Sequence, residues 1–249
     1  MIDWIDITIL LGVGLITGFI NTIAGGGSLV TLPIMIFMGL PSTVANATNR
    51  VAILISGAVA VKGFHSKGIS VFPYSIWVSI SACFGAAIGA YFAVEIDNQV
   101  FNRVLAIMMV IVMILTVFKP FQQSSGLESF SKGKTILSII IFFFLGIYGG
   151  FIQAGVGFLV IATLTGVHGL NMAKTNSIKV FVITIYTIIA MIIFIYEDKI
   201  RWDYGLTLAL GNSIGAWVAS RWSVNKDDKL IRGILLVAVF ALAVKLWFF

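Results

Sequence analysis

Ten apolar runs divide this chain, at roughly 7–23, 29–39, 44–61, 71–94, 104–118, 135–154, 158–167, 172–196, 204–220 and 233–248. Runs of that length leave few folds open. A bilayer core about 30 Å thick needs about 20 helical residues, with about 17 as a lower limit, and most of the runs meet it. With 59% hydrophobic and only 10% charged residues, the chain lacks the polar surface of a water-soluble domain. Its 20 Phe, 25 Gly and 4 Pro suit helices packed in lipid, where glycine permits close approach. The expectation is an all-α polytopic membrane protein. The opening stretch MIDWIDITILL has no basic n-region of the kind a cleaved signal peptide carries, so its first run is expected to be retained.

Two runs, 29–39 and 158–167, are too short to cross alone, and each follows a glycine-rich break. The breaks are Ala24-Gly25-Gly26-Gly27-Ser28 and Gln153-Ala154-Gly155-Val156-Gly157. A helix, a glycine break and a half-helix form the pattern of a discontinuous or re-entrant segment.

The two halves also resemble each other. Gly14-x3-Gly18-Phe19-Ile20-Asn21 returns as Gly146-x3-Gly150-Phe151-Ile152-Gln153, and Thr48-Asn49-Arg50-Val51 as Ser177-Ile178-Lys179-Val180. Gly85-x3-Gly89 matches Gly211-x3-Gly215, and Asn102-Arg103 matches Ile231-Arg232, at offsets between 126 and 132 residues. Four matches in register argue for duplication: a first repeat over 1–118, a polar cytoplasmic linker over 119–134, and a second repeat over 135–249. If each broken segment dips in and returns, three true crossings remain per half and the second half is inverted. Ten Lys and Arg then collect on one side (Lys62, Lys67, Lys119, Lys132, Lys134, Lys174, Arg221, Lys226, Lys229, Arg232) against four on the other (Arg103, Lys199, Arg201, Lys245). That is a positive-inside bias, and it puts both termini outside the cytoplasm. The net charge of +6 is thereby read as loop charge, with no nucleic-acid partner implied.

Inverted repeats with broken helices are a common plan of secondary transporters, which bind substrate near the midplane where half-helices end. A helix N-terminus leaves backbone N–H groups unpaired and carries about half a positive charge. Glycine at the break lets a small anion approach that backbone. The expected clamps are the half-helix starts at Gly27-Ser28 and Gly157-Phe158, with Asn21, Ser28 and Gln153 adding side-chain hydrogen bonds. Arg50 and Lys179 strengthen the case. Each is expected eight residues into a helix, starting near Ser42 and Asn171, hence roughly 12 Å deep. An uncompensated cation there costs about 2.5–3.5 kcal/mol, and no carboxylate lies in any predicted span. An anionic ligand is one natural partner; snorkelling to an interface or pairing with backbone carbonyls are the others. Asn46, Thr48, Asn49, Thr175, Asn176 and Ser177 flank the pair with neutral groups suited to oxyanion oxygens.

The stretch GFINTIAGGGSLVTLPIMIFMGLPSTVANATNRVA, with its degenerate copy GFIQAGVGFLVIATLTGVHGLNMAKTNSIKV, resembles the sulfite exporter TauE/SafE family of membrane permeases. The resemblance spans essentially the whole chain. It implies transport of small sulfur-containing anions (sulfite, sulfonates or sulfoacetate) across the bacterial inner membrane, with a homo-oligomer possible. It also implies functional roles for Gly25, Gly26, Gly27, Thr48, Asn49 and Arg50, and for their counterparts around Gln153 and Lys179, including Gly155, Gly157, Asn176 and Ser177. The second break has fewer consecutive glycines, so the two halves need not play equal parts. An interior-negative potential drives an anion outward by about 2.3 kcal/mol per charge per 100 mV, so an uncoupled carrier would export. An anion channel and an ion-coupled uptake permease are the alternatives.

No catalytic set, metal-ligand cluster or cofactor motif is present: Cys83 is the lone cysteine, and no Ser-His-Asp arrangement can be assembled in the membrane. Gly85 and Gly89, like Gly211 and Gly215, read as helix-packing seams. Trp4, Trp202 and Tyr204 on one side, and Tyr74, Trp77 and Trp222 on the other, read as interfacial anchors. His65 reads as a solvated loop residue; His168, ending the second half-helix, is a candidate pH sensor.

Overall fold

A computed structural model of the chain describes residues 2–69, 72–118, 128–222, 242 and 244. Among them the secondary structure is helical throughout: α1 (Trp4–Ile23), α2 (Ser28–Phe37), α3 (Ser42–His65), α4 (Tyr74–Glu95), α5 (Asn98–Phe118), α6 (Lys132–Phe151), α7 (Val156–His168), α8 (Met172–Tyr196) and α9 (Trp202–Trp222). The last apolar run, 233–248, lies outside the described residues apart from 242 and 244, as do Lys119, Lys226, Lys229, Arg232, Lys245, Asp227, Asp228 and residues 119–127 of the expected linker.

Five of the helices, α1, α3, α4, α6 and α8, are long and apolar enough to cross a membrane. The surface of the described helices is inverted relative to a soluble protein. Ile16, Phe84, Phe144, Leu210 and Ile214 are exposed, while Asn46, Asn49, Arg50, Asn176 and Lys179 are buried. That distribution is stable only where the surrounding solvent is hydrocarbon and polar groups find partners inside. Charge pairs stay near helix ends: Lys174 with Glu128 at 2.5 Å and Arg201 with Asp203 at 2.7 Å.

Helix starts follow local chemistry. Asp3 caps α1 through the Asp6 N–H at 2.7 Å, and Asn171 caps α8 through the Lys174 N–H at 3.0 Å. Ser131 caps α6, so residues 132–134, expected in the linker, are already helical. The Ser131 hydroxyl accepts the Lys134 N–H, which lets the helix begin at Lys132 despite the polar Lys132-Gly133-Lys134 stretch.

Glycine ladders set the helix pairing. A Cβ on Gly14 would stand 2.7 Å from the Leu208 carbonyl oxygen, and one on Gly215 would stand 2.7 Å from the Phe19 nitrogen, which locks α1 onto α9. In the same way Gly85 meets the Ile147 nitrogen at 2.8 Å and Gly146 the Ala82 Cα at 2.8 Å, locking α4 onto α6. These are the expected seams, and each is faced by a second glycine pair on its partner. The remaining packing joins α3 to α9, α4 to α8, and α3 to α8, with α2 against α1 and α3 and α7 against α6 and α8. Among these pairings, those of α1 with α9, α3 with α9, α2 with α3 and α1 with α2 run parallel to those of α6 with α4, α8 with α4, α7 with α8 and α6 with α7.

The aromatic residues divide. Trp4, Trp77, Trp202 and Trp222 are exposed, as interfacial anchors must be, but Tyr74 and Tyr204 are not. Tyr204 donates its hydroxyl to Asp6 at 2.8 Å, and Tyr74 packs its ring 4.8 Å from His168 and 5.1 Å from Phe130. A tyrosine beside a helix seam is drawn inward when a polar atom there can take its hydroxyl or an aromatic its ring. His65 is exposed. His168 is buried between Ser138, 2.8 Å from Nε2, and the Ser129 carbonyl, 2.8 Å from Nδ1. A carbonyl only accepts, so Nδ1 holds the proton and Nε2 accepts from the Ser138 hydroxyl. The imidazole fastens the segment before α6 to the end of α7.

Candidate functional site: two helix breaks in contact

The two breaks touch. A Cβ on Gly25 would stand 2.6 Å from the Gly157 carbonyl carbon, and one on Gly157 would stand 2.7 Å from the Gly25 carbonyl oxygen. Gly25 has φ +84°, a left-handed conformation in which the chain leaves α1 and turns back. By Gly27 it is again beside α1, where a Cβ would meet the Thr17 carbonyl oxygen at 2.5 Å. The second break turns on two left-handed residues, Gln153 at φ +66° and Gly155 at φ +73°.

Half-helix α2 starts at Ser28 after an N-cap Gly27, as expected, whereas α7 starts at Val156, two residues before the expected Gly157-Phe158. Gly155 makes the difference: its left-handed turn lets the helix begin at once, and Gly157 then lies in the first turn as the contact with Gly25. Neither start has a side-chain cap.

Both cations are fully buried, which excludes snorkelling. Arg50 is held by oxygens at the end of α6, in the other half, and Lys179 by one carbonyl near the end of α1 and one amide oxygen on its own helix. Arg50 on α3 donates from Nη1 to the Gly149 carbonyl at 3.0 Å and to Gln153 Oε1 at 2.7 Å, and from Nη2 to the Gly150 carbonyl at 2.6 Å. Its guanidinium carbon lies 4.8 Å from the centre of the Phe194 ring, a cation–π contact. Lys179 on α8 donates to the Thr22 carbonyl at 2.8 Å and to Asn176 Oδ1 at 2.8 Å.

The physical reason is the carbonyl end of a helix that stops inside the molecule. The last four carbonyls of α6 have no partner within the helix, and in a dry interior each must find one. Tyr148 O receives the Ile152 N–H at 2.9 Å, Gly149 O and Gly150 O receive Arg50, and Phe151 O receives Asn46 Nδ2 at 2.7 Å. A cation at that end also meets the negative pole of the helix dipole. Carbonyl pairing, one of the three resolutions open from sequence, is thus the one this conformation adopts. Among the described residues, neither ion pair involves Arg50.

The other expected residues fall into separate places. Asn49 accepts the Thr31 hydroxyl at 2.8 Å and donates to Ser28 Oγ at 3.1 Å, forming a buried polar triad at the start of α2. At the offset of 129 residues that relates Arg50 to Lys179, the second half has Gly157, Val160 and Ile178 in place of Ser28, Thr31 and Asn49. The polar triad at the start of a half-helix therefore belongs to the first half, while the second break contributes Gln153. Asn21 is half-buried beside Gly27; Gly26 and Ser177 are buried. Thr48 is turned away, its Oγ1 accepting the Arg201 N–H at 3.0 Å. Thr22, Thr31, Gly149, Gly150, Thr187 and Phe194 were not singled out from sequence. The carbonyls among them could have been anticipated, since a helix ending in the membrane must have its last carbonyls capped.

Replacing Thr31 by the isosteric Val removes the donor to Asn49 and leaves a buried amide oxygen short of a partner, a cost of about 1–3 kcal/mol. The expected result is a lower melting temperature for Thr31→Val in detergent, while Thr163→Val, whose hydroxyl bonds only its own helix at Leu159, changes little.

The model of the sulfite exporter TauE/SafE family matches residues 10–246. The chain is 26% identical over 235 residues to a "Probable membrane transporter protein ORF9" of Sinorhizobium sp., covering 93% of this chain and 88% of that one. It is 25% identical to a "Probable membrane transporter protein" of Haemophilus influenzae, covering 96% and 94%. It is 24% identical to "Probable membrane transporter protein YfcA" of Escherichia coli, covering 99% and 91%. No solved structure matches it.

Proposed function

The chain belongs to the sulfite exporter TauE/SafE family of membrane transporters, and from that premise we propose that it exports small sulfur-containing anions such as sulfite, a sulfonate or sulfoacetate. The anion binds where the two breaks meet, between the starts of α2 and α7, neither of which has a side-chain cap. The observation that carries this reading is the meeting of two breaks, whose half-helices follow N-cap glycines, beside the buried Arg50, whose guanidinium is held by neutral oxygens. A guanidinium held in a dry interior by neutral oxygens leaves a field that favours an entering anion. The polar triad of Ser28, Thr31 and Asn49 supports α2 as the principal half-helix, with α7 contributing mainly the close approach at Gly157. The closed contact of Gly25 with Gly157 is one conformation of the cycle; binding requires the breaks to part.

On this reading the two halves are inverted repeats over 1–118 and 135–249, the termini face away from the cytoplasm, and the membrane is the bacterial inner one. Flux of labelled sulfite from proteoliposomes at a clamped potential tests the export mechanism. Efflux should rise as the interior is made negative and should need no proton or sodium gradient. Flux indifferent to the sign of the voltage but dependent on such a gradient would favour coupled uptake, and unitary currents would favour a channel.

A further inference from the structure

The oxygens that hold Arg50 are of two kinds. The Gly149 and Gly150 carbonyls are fixed at the end of α6, whereas Gln153 Oε1, 2.7 Å from Nη1, ends a side chain that can rotate away. Lys179 shows the same mixture, a backbone carbonyl at Thr22 and a neutral amide oxygen at Asn176. The Gln153 position itself is unusual. Its φ of +66° is one that side chains other than glycine rarely adopt, and glycines serve at the comparable turns Gly25, Gly155 and Gly169. The chain bears that local strain and in return brings a carboxamide onto a buried guanidinium. The other end of the amide donates to Thr187 Oγ1 at 3.3 Å, a weak hold.

We propose that Gln153 Oε1 is a built-in stand-in for a substrate oxygen. It satisfies Arg50 while the site is empty and gives way when an anion arrives. The inference rests on the reading of Arg50 as an anion-binding residue. A neutral oxygen suits this task and a carboxylate does not. An oxyanion adds to the guanidinium hydrogen bond a full charge–charge attraction that the neutral amide lacks, so the amide can be displaced. A carboxylate in its place would neutralise Arg50 permanently, because breaking a buried pair leaves an uncompensated charge. The same logic accounts for an amide, Asn176, beside Lys179.

Two substitutions of Gln153 should act in opposite directions. Gln153→Glu keeps the shape and adds the charge: the chain should melt at or above the temperature of the unaltered protein. It should bind sulfite, methanesulfonate and sulfoacetate at least about 100-fold more weakly by titration calorimetry. Gln153→Asn keeps a residue tolerant of the left-handed turn but cannot reach Arg50, so anion affinity should rise by about three- to tenfold. A folded Gln153→Glu chain with unchanged affinity overturns the inference and leaves Arg50 as a binding residue untouched. Should Gln153→Glu not fold, Gln153→Asn decides alone, unchanged or weakened affinity counting against the stand-in. If the unaltered protein binds none of the three anions, the reading of the site itself fails, and the stand-in with it.

Discussion

Gly25→Ala is expected to lower the melting temperature by about 10 °C and to abolish anion flux, although it adds a single methyl group. Two costs coincide at this position. The first is conformational: at φ +84° an L side chain is strained by roughly 1–2 kcal/mol. The second is steric, since the methyl group would stand 2.6 Å from the Gly157 carbonyl carbon and closer still to its Cα. Its neighbour is backbone, which cannot swing aside as a side chain could, and overpacking of that kind costs about 1–3 kcal/mol more. Gly157→Ala meets the second cost from the other side, 2.7 Å from the Gly25 carbonyl oxygen, but has no left-handed φ to strain. It should be the milder of the two in melting temperature while impairing flux as severely, because the same contact is wedged apart. Gly12→Ala supplies the control. A Cβ there meets nothing within 4 Å, so the substitution should leave flux intact and raise stability by up to about 1 kcal/mol. Equal effects of all three alanines on thermal denaturation and flux would mean that the contact between the breaks has no special part.

Much of this arrangement is encoded locally and was therefore legible in the sequence. The apolar run at 172–196 coincides with α8, capped by Asn171, and the start inferred for α3 near Ser42 is the one observed, following Pro41, because hydropathy, caps and prolines act over a few neighbours. The glycine breaks were legible for the same reason. What the sequence did not disclose is who partners whom across the repeat. Arg50 reaches carbonyls 99 and 100 residues away, and Lys179 one 157 residues away. No spacing rule connects such positions, and a carbonyl carries no residue letter. The left-handed turn at Gln153 was hidden as well, since a glutamine gives no sign of the conformation that its surroundings impose. The asymmetry between Asn49 and Ile178 stood in the sequence throughout, but it gained meaning only when Ser28 and Thr31 were seen to close a polar triad with Asn49. The family match agrees with the resemblance carried by the Gly25-Gly26-Gly27 and Thr48-Asn49-Arg50 motifs, which lie within the matched residues 10–246.

Replacing Arg50 should separate its structural task from its task toward an anion. Arg50→Met keeps most of the side-chain volume and removes every donor. The Gly149 and Gly150 carbonyls and Gln153 Oε1 then lose their partners, at about 1–3 kcal/mol for each oxygen that stays dry. Against this, a buried charge and its desolvation cost disappear, so the net loss should be only about 2–4 kcal/mol. Arg50→Lys keeps the charge but not the fork. One ammonium on a shorter stem cannot serve carbonyls of two successive residues and the Gln153 oxygen together, so a folded but less stable chain is expected. Stability should therefore order as unaltered, then Lys, then Met. Anion flux per folded molecule should follow the same order but fall far more steeply: Met abolished, Lys reduced by about tenfold or more yet measurable, because a point charge still attracts an anion without the two-pronged geometry. If Arg50 served only to cap α6, flux per folded molecule would be the same in all three chains and only the melting temperatures would differ. Parallel falls in both quantities would instead mark a cation shared between the helix end and the anion, so that taking hold of one requires partial release of the other.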